Sequence, residues 1–197
     1  SYIEIDEFDQ NKRQIFNYGH TFGHAIESLT GKIFYDLNSY GYRCDEFYED
    51  KDSYVGIGEC FTYGTGLPAD MSWTSLLEKD IQKKVWNLGL CTTGLDTSFR
   101  TLLTWLPVIK PKAVLMLENS TLARETWYID ENNEEWNTCI GFWSDLEWQQ
   151  EICQSKTERY LNRRKNLMAI KELCDMNGVE FKLVTALERN EIGFKDW

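Results

Sequence analysis

Cys60 lies in the stretch Gly58-Glu59-Cys60-Phe61-Thr62-Tyr63-Gly64-Thr65-Gly66, directly behind the short apolar run Tyr54-Val55-Gly56-Ile57. A strand that ends in a glycine-flanked turn bearing a nucleophile-type side chain, and then enters a helical pattern, is how α/β hydrolytic folds present their attacking atom. Here that atom is the Cys60 sulfur. Acyl transfer at such a turn also uses a histidine to move the proton, and the only two histidines, His20 and His24, lie far upstream in a segment of different character. The nucleophile stands in the sequence without its base.

A serine hydroxyl is almost un-ionised at neutral pH and depends on that histidine, whereas a free cysteine with a pKa near 8.5 is about 3% thiolate at pH 7. A thiol at the N-terminus of the following helix would be ionised further by the amide dipoles. Its own N–H and the Asn119 amide could then hold a developing oxyanion. Clearing the resulting thioester requires an activated water, and Glu59, adjacent in sequence, is expected to point away from the turn. Single-turnover acylation is the expected limit. Each residue also has a plainer reading: Cys60 as a buried, inert thiol, Asn119 as a helix cap or loop anchor, Gly94 as a simple turn residue. Cys91, beside Thr92 and Thr93, reads as a strand-end residue.

The elements that must position these groups follow from periodicity. Residues 1–31 form one unit, an acidic stretch and then a helical pattern over 11–29 that Gly31 closes. Residues 32–52 are polar and turn-rich, with Asn38-Ser39-Tyr40-Gly41 the strongest turn signal, and lead into the main domain at 53–197. Strands are predicted at 54–57, 85–90, 113–117 and 179–184. Helices are predicted at 73–83, at 97–106 ended by Pro107, and at 146–175 stopped by Asn177-Gly178. This alternation predicts an α/β fold, a parallel sheet covered by helices. Residues 119–144 fit neither period and read as an excursion over the strand ends.

A chain of 197 residues suits one domain plus an appendage. The formal charge of −11 is spread along the chain and disfavours a nucleic-acid partner. The basic cluster Arg159, Arg163, Arg164 and Lys165 falls in a helical pattern with Glu158 and reads as a solvated helix face. Six cysteines show no Cys-x-x-Cys pair, and no secretory signal is visible, so reduced thiols in a cytoplasm are expected. No apolar run approaches the roughly 18 residues of a membrane span, so no membrane partner is expected. The aromatic residues read as packing rather than as a base-stacking platform.

Taken together, residues 34–197 resemble the SGNH (GDSL-type) hydrolases. Gly58-Glu59-Cys60-Phe61-Thr62 matches the family's first block, Gly-Asp-Ser followed by an aromatic and a small polar residue. Asn38-Ser39-Tyr40-Gly41-Tyr42-Arg43 resembles the family's opening segment, and Trp73-Thr74-Ser75-Leu76-Leu77-Glu78 the helix after the first block. Asn87-Leu88-Gly89 with Gly94 resembles the second block, and Leu117-Glu118-Asn119-Ser120 stands where the third, Gly-x-Asn-Asp, would be. The resemblance implies a three-layer, flavodoxin-like parallel sheet with helices on both faces, no cofactor, and carbohydrate or lipid O-acyl esters as substrates. It assigns Cys60 to the nucleophile position, Thr92 and Gly94 to the second block and Asn119 to the oxyanion donor. Departures are as informative. Cys60 replaces serine, Thr92 takes the second-block glycine position, Leu117 and Ser120 replace the outer residues of the third block, and the last block, Asp-x-x-His, is missing because no histidine follows His24. Truncation just before that block is the expected reason, which leaves an esterase site weak or inactive. A non-catalytic binding domain of the same fold is the alternative.

The N-terminal unit carries a second resemblance. Glu4 to Asp9, Arg13 and the run Asn17-Tyr18-Gly19-His20-Thr21-Phe22-Gly23-His24-Ala25-Ile26-Glu27 resemble the metal-helix segment of 3-dehydroquinate synthases and related sugar-phosphate cyclases. That resemblance implies His20 as a ligand of zinc or a similar ion, with Arg13, Asn17 and His24 facing a phosphorylated substrate. The spacing of His20 and His24 puts both on one helix face. A catalytic zinc uses about three protein ligands and an open position, and only one of the family's ligands is present. Residues 1–31 therefore read as a cyclase fragment joined to a hydrolase-like domain, with no working metal site expected and a metal-dependent lyase fragment as the third reading.

Overall fold

The computed structural model describes residues 33–119, 121–129, 132–141, 144 and 147–185. The expected helix over 11–29 with His20 and His24, residue Ser120, and the final stretch 186–197 lie outside the described residues. The elements run β1 (Tyr54–Ile57), α1 (Cys60–Tyr63), a 3-10 turn (Ala69–Met71), α2 (Trp73–Ile81), β2 (Val85–Asn87), α3 (Leu95–Ile109), β3 (Ala113–Leu117), β4 (Ala123–Ile129), β5 (Glu135–Gly141), α4 (Glu147–Gln154), α5 (Lys156–Met176) and β6 (Glu180–Val184).

Four strands form one sheet in the order β2-β1-β3-β6, all parallel. The chain steps from β1 to β2 in one direction and returns across β1 to β3 in the other. Because such crossovers are right-handed, α2 covers one face of the sheet while α3 and α5 cover the opposite face. This is the expected doubly covered α/β architecture. The strands read as continuous apolar runs because both faces are covered: Val85 is buried, and Val55, Ile57, Trp86, Val114 and Met116 are buried in one cluster with Leu102, Leu106, Ile109, Leu167 and Ile170 from α3 and α5.

Four local expectations are corrected. The second strand ends at Asn87 rather than at 90, because the Asn87 side chain takes the Gly89 amide and turns the chain away. Leu88 and Leu90 still donate backbone bonds to Gly56 and Gly58, so the two chains stay together past the strand ends. Pro107 does not end its helix, which continues to Ile109. An interior proline costs about 3 kcal/mol, and burial of Leu106 and Ile109 returns about 1.5–3 kcal/mol for each side chain. The long C-terminal pattern is two helices, broken at Ser155, whose Oγ accepts from the Glu158 amide as an N-cap. Residues 119–144 hold an antiparallel hairpin, β4 with β5, in the register Thr126↔Thr138. Its outer half is exposed on both faces, so no clean alternation marks it.

The lead-in segment is packed rather than trailing. Tyr42 is buried, and Tyr42, Phe47 and Trp105 form a ring cluster, with Trp105 Nε1 donating to the Tyr42 hydroxyl at 3.1 Å. The basic cluster is not wholly solvated: Arg163 is turned inward and pairs through both its Nε and Nη2 with the buried carboxylate of Glu118. That pair fastens α5 to the end of β3.

Among the described residues, no helix is long and apolar enough to cross a membrane.

Candidate active site

Three strand ends meet at one edge of the sheet. Parallel strands place all their C-terminal ends together, and in open α/β sheets that edge, beside the point where strand order reverses, is where ligands bind. Cys60 follows β1 and Asn119 follows β3, on the two sides of that reversal, and Cys91 follows β2.

The turn after β1 is tight. A Cβ on Gly58 would fall 2.6 Å from the Leu117 carbonyl oxygen and against the Thr62 hydroxyl, so only glycine lets β1 pass this close to both. Helix α1 then starts at Cys60, closes with Thr62 and Tyr63 amides on the Glu59 carbonyl, and ends at Gly64 in the left-handed region. Asn87 donates through Nδ2 to the Thr62 carbonyl at 2.8 Å, which ties α1 to the turn after β2. The buried Arg43 guanidinium donates to the carbonyls of Gly64 at 2.6 Å and Leu67 at 2.5 Å, and stacks over the Tyr35 ring. A cation therefore complements the carbonyl end of α1 and fixes the loop behind it.

Cys60 is half-buried. Its sulfur accepts the Thr92 backbone N–H at 3.4 Å, which sets it beside Cys91. Donors around it, led by the Cys91 thiol, hold the Cys60 pKa down to about 6 against the opposing effect of burial; its own N–H and the Thr65 hydroxyl add to the same direction. Cys91 moves the opposite way. Its proton is held between the two sulfurs, and burial and the Cys60 charge push its pKa well up, while the Thr65 hydroxyl at 3.1 Å works against that rise. The helix dipole expected to activate Cys60 is weak here, since α1 has only 4 residues. Discrete donors take its place.

Thr92 stands in the left-handed region at φ 54, a conformation costly for a β-branched residue and natural to glycine. That backbone turn aims its N–H at the Cys60 sulfur. Gly94 lies two residues on, at the N-cap of α3. A Cβ there would collide with the Ala123 carbonyl, so glycine admits β4 against the turn. Asn119 is completely buried. Its Nδ2 donates to the carbonyls of Thr93 at 3.3 Å and Gly94 at 3.2 Å, and its Oδ1 accepts from the Ser98 hydroxyl at 3.2 Å. In this arrangement the carboxamide anchors the 91–94 turn.

The structure thus brings Cys60 and Thr92 into contact and links Gly94 and Asn119 to them through one turn. Cys91 and Thr65 were not singled out as site residues by sequence reasoning. No sequence signal marks them: the register pair Gly56 with Asn87, four residues before Cys60 and Cys91, exists only in the folded sheet.

The 3-dehydroquinate synthase C-terminal family model matches residues 1–35. The 3-dehydroquinate synthase of Desulforamulus reducens is 64% identical over 31 residues, 16% of this chain and 9% of that protein. That of Thermoanaerobacter sp. strain X514 is 54% identical over 33 residues, 17% and 9%, and that of Streptococcus pyogenes serotype M6 is 37% identical over 89 residues, 39% and 25%. The matched stretch spans at most a quarter of the length of these relatives. Among solved structures, a lipolytic-type protein of the G-D-S-L family from Desulfitobacterium hafniense DCB-2 overlays with a TM-score of 0.45 at 19% identity, over 68% of this chain and 58% of that one. AlinE4, an SGNH-hydrolase family esterase, overlays at 0.43 with 15% identity, over 68% and 58%. The solved structures similar to this chain are SGNH and GDSL hydrolases, and its first 35 residues are similar to the C-terminal part of 3-dehydroquinate synthases.

Proposed function

We propose that the α/β domain is an SGNH-like acyl hydrolase domain in which the Cys60 thiolate attacks O-acyl esters of carbohydrates or lipids. The observation that carries this reading is the placing of the Cys60 sulfur, with the Thr92 N–H donating to it at 3.4 Å, at the C-terminal edge of a parallel sheet beside the reversal of strand order. The thiolate adds to the ester carbonyl carbon, and the oxyanion forms against the Cys60 and Thr92 N–H groups. Asn119 and Gly94 hold the turn that presents Thr92. The C–O bond then breaks, and the departing alkoxide takes a proton from the Cys91 thiol or from solvent. A thioester on Cys60 remains. Its hydrolysis then requires an activated water.

The test is a burst experiment with p-nitrophenyl acetate. One nitrophenolate per chain, an acetyl adduct mapped to Cys60 and loss of both in Cys60→Ala are expected. Absence of a burst from the folded protein would instead favour a non-catalytic binding domain of the same fold. Sustained turnover would show that a base reaches the site.

The N-terminal segment suggests the zinc chemistry of the cyclases. Among the described residues, no group of three or more His, Cys, Asp or Glu side chains is arranged to hold a metal. Stoichiometric zinc kept through dialysis and lost in His20→Ala would support the cyclase-type reading.

A further inference from the structure

Six cysteines are distributed very unequally in reactivity. Burial pushes Cys44 and Cys174 up to about 12 and raises Cys153, so these thiols stay protonated and unreactive. Cys60 and Cys91 are only half-buried, are not joined in a disulfide, and lie side by side: the amide of Thr92, next to Cys91, donates to the Cys60 sulfur, and Thr65, whose amide bonds the Cys60 carbonyl, reaches the Cys91 sulfur. The Thr65 hydroxyl stands 3.1 Å from the Cys91 sulfur, which brackets the pair from one side. The Thr92 N–H brackets it from the other at 3.4 Å. Of the two, Cys60 is the more acidic thiol, held down to about 6, while Cys91 is pushed up.

We propose that Cys60 and Cys91 form a hydroperoxide-sensitive dithiol site, in which Cys60 is the oxidised thiol and Cys91 the resolving thiol, closing a reversible disulfide that silences the attacking sulfur. Hydrogen peroxide is the oxidant. The Cys60 thiolate attacks one peroxide oxygen, the O–O bond breaks, and the departing hydroxide takes the Cys91 proton to leave as water. Cys60 is then a sulfenic acid beside a fresh Cys91 thiolate. That thiolate attacks the Cys60 sulfur, the S–O bond breaks, and the second hydroxide takes a proton from solvent. Two thiols and one peroxide become one disulfide and two waters, with the sulfur pair giving up two electrons. Closure brings the two sulfurs to the ~2 Å of a disulfide bond.

Rate is not the distinguishing property. Ionisation at pH 7 raises the thiolate fraction from about 3% to about 90%, but a more acidic thiol is a weaker nucleophile, so the net gain over an ordinary cysteine is only about threefold. The product distinguishes the site, because an isolated sulfenic acid has no thiol to resolve it.

The experiment treats the full chain, folded and reduced, with hydrogen peroxide at pH 7 and maps it by peptide mass spectrometry. The expected product is a Cys60–Cys91 cross-link, a mass lower by two hydrogens, and full return of both thiols with dithiothreitol. In Cys91→Ser, dimedone should trap a sulfenic acid on Cys60, and peroxide should drive that residue on to the sulfinic acid. Stable sulfenic or sulfinic acid on Cys60 of the native chain, a cross-link between other cysteines, or unchanged thiols would each overturn the proposal. The ester burst is read separately on reduced protein, so failure of the acylation reading leaves the cross-link result intact. Where the burst exists, peroxide should abolish it and dithiothreitol restore it.

Discussion

Cys60 and Cys91 come side by side at the sheet edge, each four positions beyond a register pair, Gly56 with Asn87, on neighbouring parallel strands, and the amide of Thr92, next to Cys91, donates to the Cys60 sulfur at 3.4 Å. Backbone bonds from Leu88 to Gly56 and from Leu90 to Gly58 keep the two chains together past the sheet edge. A thiol that would be mostly protonated alone is thereby given a sulfur donor.

Removing that donor should be visible in alkylation. The rate of iodoacetamide modification of Cys60, followed against pH, is expected to rise with a midpoint of about 6 in the native protein. In Cys91→Ala the midpoint should move up toward the ordinary thiol value of about 8.5. An unmoved midpoint would show that the Thr92 N–H alone holds the thiolate.

Stability should follow the same pair. The folded pKa of Cys60 lies below its unfolded value, so its contribution is full above the unfolded pKa and is lost as pH falls through about 6. Cys91 is raised, so its thiol favours the folded state below the unfolded pKa and opposes it as pH climbs beyond. Stability is therefore expected to rise from about pH 6 to the region of free thiol ionisation at about 8.5, and to fall above it. Urea melts across this range, compared with Cys60→Ala/Cys91→Ala, should show the rise vanish in the double variant.

Thr92 stores backbone strain at its left-handed φ of 54. Thr92→Gly relieves about 1–2 kcal/mol of it and costs about 0.5–1 kcal/mol in unfolded-chain entropy. A net gain of about 1 kcal/mol in chemical melts is expected, with the N–H on Cys60, and hence the alkylation profile, retained. A loss of stability would mean that the Thr92 hydroxyl, which donates to the Cys91 carbonyl at 2.7 Å, matters more than the backbone.

Asn119→Ala leaves the Thr93 and Gly94 carbonyls and the Ser98 hydroxyl without their buried partner. Each unsatisfied group costs about 1–3 kcal/mol, so a loss of at least about 2 kcal/mol is expected in urea melts. Ser98→Ala removes one bond from the same carboxamide and should cost about 1 kcal/mol. Equal costs for the two variants would show that Asn119 does not hold the turn.

Much of the architecture was legible in order along the chain. Tyr54–Ile57 and Ala113–Leu117 are apolar runs bounded by turn residues, and both strands fall where periodicity places them. The turn carrying Cys60 was equally plain, because glycines on both sides of a polarisable side chain have few other uses. Ser155 with Glu158 is a capping signature that would have divided the last helix, had it been weighed against the continuous apolar period. The β4–β5 hairpin carried no such signal, since strands that leave both faces in solvent lack a buried alternation.

Local residue order placed the Cys60 sulfur in a glycine-flanked turn directly behind a strand, because both depend on neighbours in sequence. The partner of that atom was decided by pairing between strands whose ends are separated by a whole helical crossover. Register across a sheet is set by which side chains share the core, and that set exists only once the chain is folded. For the same reason Asn119 could be placed near the turn by pattern, yet only packing against Thr93, Gly94 and Ser98 committed its amide to holding backbone.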